Sequence, residues 1–153
     1  MRTVNMEKIV PQDNMAYARY LLGRARFFMT RARRDELAPY HISPRQSYIL
    51  FLLYTAGRSV SLRELAWQTD RKINTLSVNM TKMEKDGLVK KIRDIPNSIQ
   101  FSFKLTEKGL STYQNCMREE SIQAIMSVLS QDECKQLISM LEKITKKAEK
   151  FKI

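Results

Sequence analysis

Residues 61–93, SLRELAWQTDRKINTLSVNMTKMEKDGLVKKIR, decide the fold. Ser61-Leu62-Arg63-Glu64 is a capping box, in which the serine hydroxyl accepts from the third helical amide and the glutamate reaches back to the serine amide. It opens a short helix with Leu62, Leu65, Ala66 and Trp67 expected inward. After Thr69-Asp70, apolar residues recur at Ile73, Leu76, Met80 and Met83. Those steps of three and four predict a second helix with all four side chains on its core face. Asp86-Gly87 ends it, since glycine accepts the left-handed conformation that closes helices. The period then shortens. Leu88–Arg93 and Ile99–Leu105 alternate, with Phe101, Phe103 and Leu105 on one face and Ser102 and Lys104 on the other. With turn-forming Asp94 to Ser98 between them, the pair reads as a β-hairpin.

Working outward, Ser43-Pro44-Arg45-Gln46 is another helix start, with a capping serine and a proline at the first helical position. The helix through Tyr54 is apolar on most sides (Ile49, Leu50, Phe51, Leu52, Leu53), which predicts a central position, and Gly57 stops it. Asn14–Leu37 reads as a long helix whose apolar stripe (Tyr17, Leu21, Phe28) is interleaved with six arginines, and it ends before Pro39. Thr106 caps a further helix expected to run to about Leu129, and Ser130-Gln131-Asp132-Glu133 opens the last, with Leu137, Leu141, Ile144 and Ala148 in a stripe. The architecture expected is mainly α with a small β-hairpin.

The chain has 153 residues, 43% hydrophobic, with four glycines, four prolines and a net charge of +11. This length suits one domain, the scarcity of glycine and proline leans away from all-β folds, and the charge favours an anionic partner. The longest apolar run, Tyr48 to Ala56, is too short to span a membrane, and residues 1–12 hold no apolar signal core, so a cytoplasmic location is expected. Residues 1–60 carry +6, residues 61–105 carry +4 and residues 106–153 carry +1. The excess therefore avoids the last third, whose balanced periodic helices suit protein contacts. One histidine, His41, and two cysteines, Cys116 and Cys134, provide no metal-ligand spacing and no catalytic set, and no glycine-rich phosphate loop occurs. Neither an enzyme nor a cofactor is expected, and the cysteines read as inert helical thiols before redox switches.

Two short helices followed by a basic hairpin is the order of a winged helix-turn-helix, and here the sequence resembles the MarR family of transcriptional regulators over nearly its whole length. Ile42-Ser43-Pro44-Arg45-Gln46 with Ile49-Leu50 looks like the family's second-helix opening, and Ser61-Leu62-Arg63-Glu64-Leu65-Ala66 like its third helix. Met83-Glu84-Lys85-Asp86-Gly87-Leu88-Val89 resembles the end of its recognition helix, and Leu105-Thr106-Glu107-Lys108-Gly109 the segment that leaves the wing. The resemblance implies a winged helix-turn-helix lobe over 43–105 within one domain of 1–153, flanked by dimerisation helices at 14–38 and 106–150. It implies no enzymatic activity.

The residues support that reading independently. With the apolar face turned inward, Asn74, Thr75, Ser77, Val78 and Lys82 remain outside, a small polar surface of the kind that reads a major groove. Arg71 and Lys72 beside them, Arg63 on the preceding helix and Lys90, Lys91 and Arg93 on the hairpin are placed to hold phosphates. Lys91 stands where the family usually has an arginine, and Asn97-Ser98-Ile99 replaces the charged pair often found at the wing tip. So few base contacts per chain call for two half-sites and hence a homodimer, with Leu110, Tyr113, Met117, Ile125, Leu129, Leu137 and Leu141 expected at its interface. Relatives bind small aromatic anions between dimer helices and DNA-binding core, which points to Tyr40, His41 and Arg45 for an aromatic or anionic effector. Some relatives sense oxidants through a cysteine near the chain start, where this sequence has none. The function expected is a regulator, as a repressor, of a pseudo-palindromic site on double-stranded DNA. A nonspecific nucleoid-type DNA binder and a winged-helix protein-interaction module are the alternatives.

Overall fold

A computed structural model describes residues 10–93 and 101–151. By Cα clustering the chain divides into two compact units, Met1–Glu119 and Glu120–Ile153.

The first unit begins with α1 (Asn14–Leu37), capped by the Asp13 carboxylate, which accepts from the Ala16 amide at 2.7 Å. A single 3₁₀ turn (Ala38–Tyr40) ends at His41, whose left-handed backbone (φ 54°) redirects the chain into α2 (Pro44–Ala56). The Ser43/Gln46 capping box forms as the sequence predicts, and Gly57 closes α2 in the left-handed conformation. Ser61 and Glu64 form the second capping box at α3 (Leu62–Thr69), and Asp70 (φ 49°) closes it. α4 (Ile73–Lys85), the hairpin strands β2 (Val89–Arg93) and β3 (Phe101–Leu105), and α5 (Glu107–Cys116) follow.

The sheet differs from the expected two-stranded hairpin. Val60–Ser61 forms a two-residue strand, β1, antiparallel to β3, so the order is β1-β3-β2 and β3 is central. This explains why Ser102, placed on a solvated face by simple alternation, is 2% exposed: it lies between Ser61 and Ile92 in the middle of the sheet. Two residues were too few for β1 to show a period in the sequence.

Leu37, Ile49, Leu50, Leu65, Leu76, Met80 and Met83 are fully enclosed at 0–1% exposure, so the core lies where α2, α3 and α4 meet. Three expected core positions are outside it. Ile73 is 46% exposed because it opens the first turn of α4, Phe51 lies on the outer side of α2 at 43%, and Trp67 is 78% exposed. In an eight-residue helix whose buried residues are Leu65 and Ala66, Trp67 faces away from them.

Arg33 is the reverse case. Expected among the surface arginines of α1, its side chain is 7% exposed. Nη2 donates to the Ser47 hydroxyl (3.3 Å) on α2 and to the Cys116 carbonyl at the end of α5. Nη1 forms an ion pair with Glu36 (3.0 Å) without hydrogen-bond alignment, and Nε lies 3.9 Å from Glu119. The guanidinium thereby ties three helices and neutralises carbonyl charge at a helix C-terminus. α5 stops there rather than continuing to Leu129 as expected, and Glu119 takes a left-handed turn (φ 49°). Tyr113, expected at a dimer interface, is in this core instead, with its ring 4.6 Å from that of Tyr54.

The second unit holds α6 (Glu120–Met126) and α7 (Gln131–Ala148), the latter opened by the predicted Ser130/Glu133 capping box. None of the α7 residues is buried within the chain, and Ile138, Met140 and Ile144 are each more than half exposed.

Candidate nucleic-acid interface

α4 presents the surface that the sequence predicts. Its core face is sealed by Leu76, Met80 and Met83, and Asn74, Thr75, Ser77, Val78 and Lys82 are all exposed, Val78 to 74%. Positions 74, 77, 78, 81 and 82 follow one helical face through two turns. That periodicity adds Thr81, which the sequence reading omitted; it is exposed, and its hydroxyl donates to the Ser77 carbonyl (3.0 Å), which trims its side chain close to the helix. Lys72 is the N-cap residue without a side-chain cap, so the first amides of α4 and two cations, Arg71 and Lys72, stand together at its exposed start. An anion is favoured there both by the charges and by the unpaired amides.

The hairpin is fixed to α4. Leu88 N donates to Met83 O (2.9 Å), Thr106 Oγ1 donates to Gly87 O (2.6 Å), and the Lys91 amide donates to Glu84 Oε1 (3.2 Å). Lys108 Nζ donates to Asp86 O (2.7 Å), satisfying carbonyl charge after α4 ends. Gly109 allows the closest approach: a Cβ there would lie 1.9 Å from the Leu88 carbonyl oxygen. These contacts set the angle between the reading helix and the hairpin.

The cations of the hairpin separate onto two faces. Lys91 and Arg93 share a face with Phe101; the Lys91 ammonium lies 3.6 Å from the ring centroid and the Arg93 guanidinium 5.6 Å. A ring face attracts a cation electrostatically and restrains it without neutralising it. Lys90 lies on the opposite face, directly across from Lys104, and both are exposed. Like charges paired across strands are destabilising, and a bound polyanion relieves that repulsion. Lys104 was not among the residues singled out from sequence; the strand register was needed to find it. Asn97-Ser98-Ile99 lies outside the described residues.

Arg63 is exposed on the outer side of α3. Its neighbour Glu64 is held by Arg58 (Nη2–Oε1 2.6 Å) and by the Ser61 amide (2.8 Å). The Arg58 hydrogen bond, then those from Ser61, lower the Glu64 carboxyl to about 2. Tyr40, His41 and Arg45, the expected effector residues, are all exposed, and His41 has the structural task of ending the 3₁₀ turn. Cys116 is buried, and burial raises its thiol above the ordinary value, which disfavours the reactive thiolate. Among the described residues no cluster of three histidine, cysteine or acidic side chains could hold a metal ion, and no helix is long and apolar enough to cross a membrane.

A two-helix unit with a fixed basic hairpin beside the second helix defines a winged helix-turn-helix. Its architecture is that of the MarR-family regulators. S. aureus MepR in complex with DNA matches with a TM-score of 0.78 and 21% identity, over 86% of this chain and 97% of that one. A cysteine-to-serine mutant of E. coli MarR complexed with operator DNA matches at 0.76 and 20%, over 82% and 91%. The organohalide-sensing regulator RdhR in its 2,4-dichlorophenol-bound form matches at 0.78 and 20%, over 94% and 87%. No family model matches the sequence, and no curated protein does.

Proposed function

We propose that the chain is a sequence-specific DNA-binding transcriptional regulator without enzymatic activity, acting as a homodimeric repressor on a pseudo-palindromic site and responsive to a small ligand. The observation that carries this reading is the outer face of α4. Small polar side chains at Asn74, Thr75, Ser77 and Thr81 are exposed in two successive turns, with Val78 and Lys82 among them and Arg71, Lys72, Lys90, Lys91 and Arg93 around them. Asparagine can pair with an adenine edge, hydroxyls with bases or phosphates, and a valine with a thymine methyl. The flanking cations set the helix on the backbone. Arg63 supports a further phosphate contact from α3.

The homodimer is supported by apolar surface that each unit leaves uncovered within the chain: Met15, Leu22 and Phe27 on α1, and Ile138, Met140, Leu141 and Ile144 on α7. Two chains would place two reading helices on half-sites about one DNA turn apart. The operator DNA bound to MarR, the DNA bound to MepR and the 2,4-dichlorophenol bound to RdhR are in keeping with this reading.

Selection of bound duplexes from a random pool tests it. The expected result is one motif with two related half-sites, bound with a log–log salt slope of roughly −0.9 per phosphate neutralised. Uniform recovery of all duplexes would place the chain among nonspecific binders, and no recovery would remove DNA from its function.

A further inference from the structure

Between the C-terminal end of α2 and α3 lies a cleft of about 580 Å³ with no part in the interface described above. That is the size of many small-molecule sites. Leu52, Val60 and Leu65 contribute apolar walls, and Arg63, Glu64 and Trp67 line it from α3. Arg63 and Trp67 are four residues apart and therefore adjacent on one helix face.

Two features distinguish this cleft from a packing gap. Trp67 is 78% exposed, so its indole contributes little to the core while presenting a large flat apolar surface to solvent. The charges also do not cancel. Arg58 and Glu64 satisfy each other across 2.6 Å, and the second carboxylate oxygen of Glu64 accepts from Ser61. Arg63 has no acidic partner among the described residues. One uncompensated guanidinium thus stands beside an indole and an apolar wall. An apolar ring satisfies the wall and the indole, and one acid group satisfies the guanidinium.

We propose that this cleft binds a flat apolar organic monoanion, with its ring system against Trp67 and its acid group on Arg63. Because Arg63 is also the α3 side chain assigned to a DNA phosphate, such a ligand competes with DNA for it. That consequence rests on the DNA-binding reading; the site itself does not. The place differs from the Tyr40–His41–Arg45 junction.

Trp67 is the sole tryptophan of the chain, so intrinsic fluorescence reports on the cleft directly. The full chain, free of DNA, is titrated with naphthalene-2-carboxylate and with the neutral naphthalene-2-methanol. Saturable quenching is expected for the acid, with at least fivefold weaker binding of the alcohol. Arg63→Gln should reduce the acid to the affinity of the alcohol at an unchanged melting temperature. Trp67→Ala, read by calorimetry, should abolish binding of both. Equal affinities for acid and alcohol, an Arg63→Gln curve superimposable on that of the parent, or binding that survives Trp67→Ala overturns the proposal. In a separate arm, saturating acid should weaken duplex binding by the parent but not by Arg63→Gln. Unchanged duplex affinity of the parent overturns the competition and leaves the site standing, whereas failure of the quenching arm leaves the DNA reading standing.

Discussion

α4 and α7 are both amphipathic helices with a clear apolar stripe, yet they spend that stripe differently. In α4, Leu76, Met80 and Met83 are sealed to 1% or less, and the opposite face is free for recognition. In α7 no residue is buried within the chain, and Ile138, Met140, Leu141 and Ile144 remain in water. The same periodicity therefore marks a completed contact in one helix and an unfilled one in the other. A sequence pattern states that a face is apolar, not which chain covers it.

The largest expected effect tests how firmly α4 is held. Gly109→Ala would drive a methyl into the Leu88 carbonyl, backbone that cannot swing aside. A loss of about 3 kcal/mol or more is expected in denaturant unfolding, at the upper end for overpacking. A stable variant would show that the hairpin and α4 are joined more loosely than the contact implies. Next, Leu76→Ala should cost about 2–5 kcal/mol, whereas Ile144→Glu should stay within about 0.5 kcal/mol for the isolated chain. Light scattering should instead find Ile144→Glu converting dimer to monomer. Similar stability losses at both positions would erase the distinction.

Smaller effects separate reading from holding on the exposed side. Asn74→Ala should reduce discrimination at one base position by about 1–3 kcal/mol, while Lys91→Ala should weaken all duplexes alike and lower the salt slope by about 1. Competition binding with mutated half-sites distinguishes them, and a uniform loss from Asn74→Ala would remove its reading role.

The smallest effect concerns the start of α3. Glu64 should titrate near 2 rather than at the ordinary 4.5 in carboxyl NMR, and Arg58→Gln should raise that midpoint. The sign follows from the lowered folded value. The stabilising contribution is complete above the ordinary value and is lost as pH falls through about 2.

The caps and glycine stops gave α1 to α4 within a residue or two because their signals are local: a serine, a glutamate three residues on, a glycine in the left-handed region. The outer face of α4 was legible for the same reason. What escaped depended on distant partners. β1 exists because β3 lies beside Val60 and Ser61, and Lys104 gained meaning through its cross-strand neighbour Lys90. Arg33, one of six arginines in α1, became internal because Ser47 and the end of α5 supply its acceptors. Trp67 was assigned inward from its composition, although a short helix has room for few core residues.

The buried Arg33 guanidinium also bears on how the first unit opens. A charge removed from water is costly once its partners leave. Unwinding the end of α5 would take away the Cys116 carbonyl and Glu119, leaving a cation enclosed by α1 and α2. Fraying there is therefore not local, as the end of a helix usually is. The last turns of α1 and α5 should exchange their amide hydrogens in step, through one shared opening, although 83 residues separate Arg33 from Cys116.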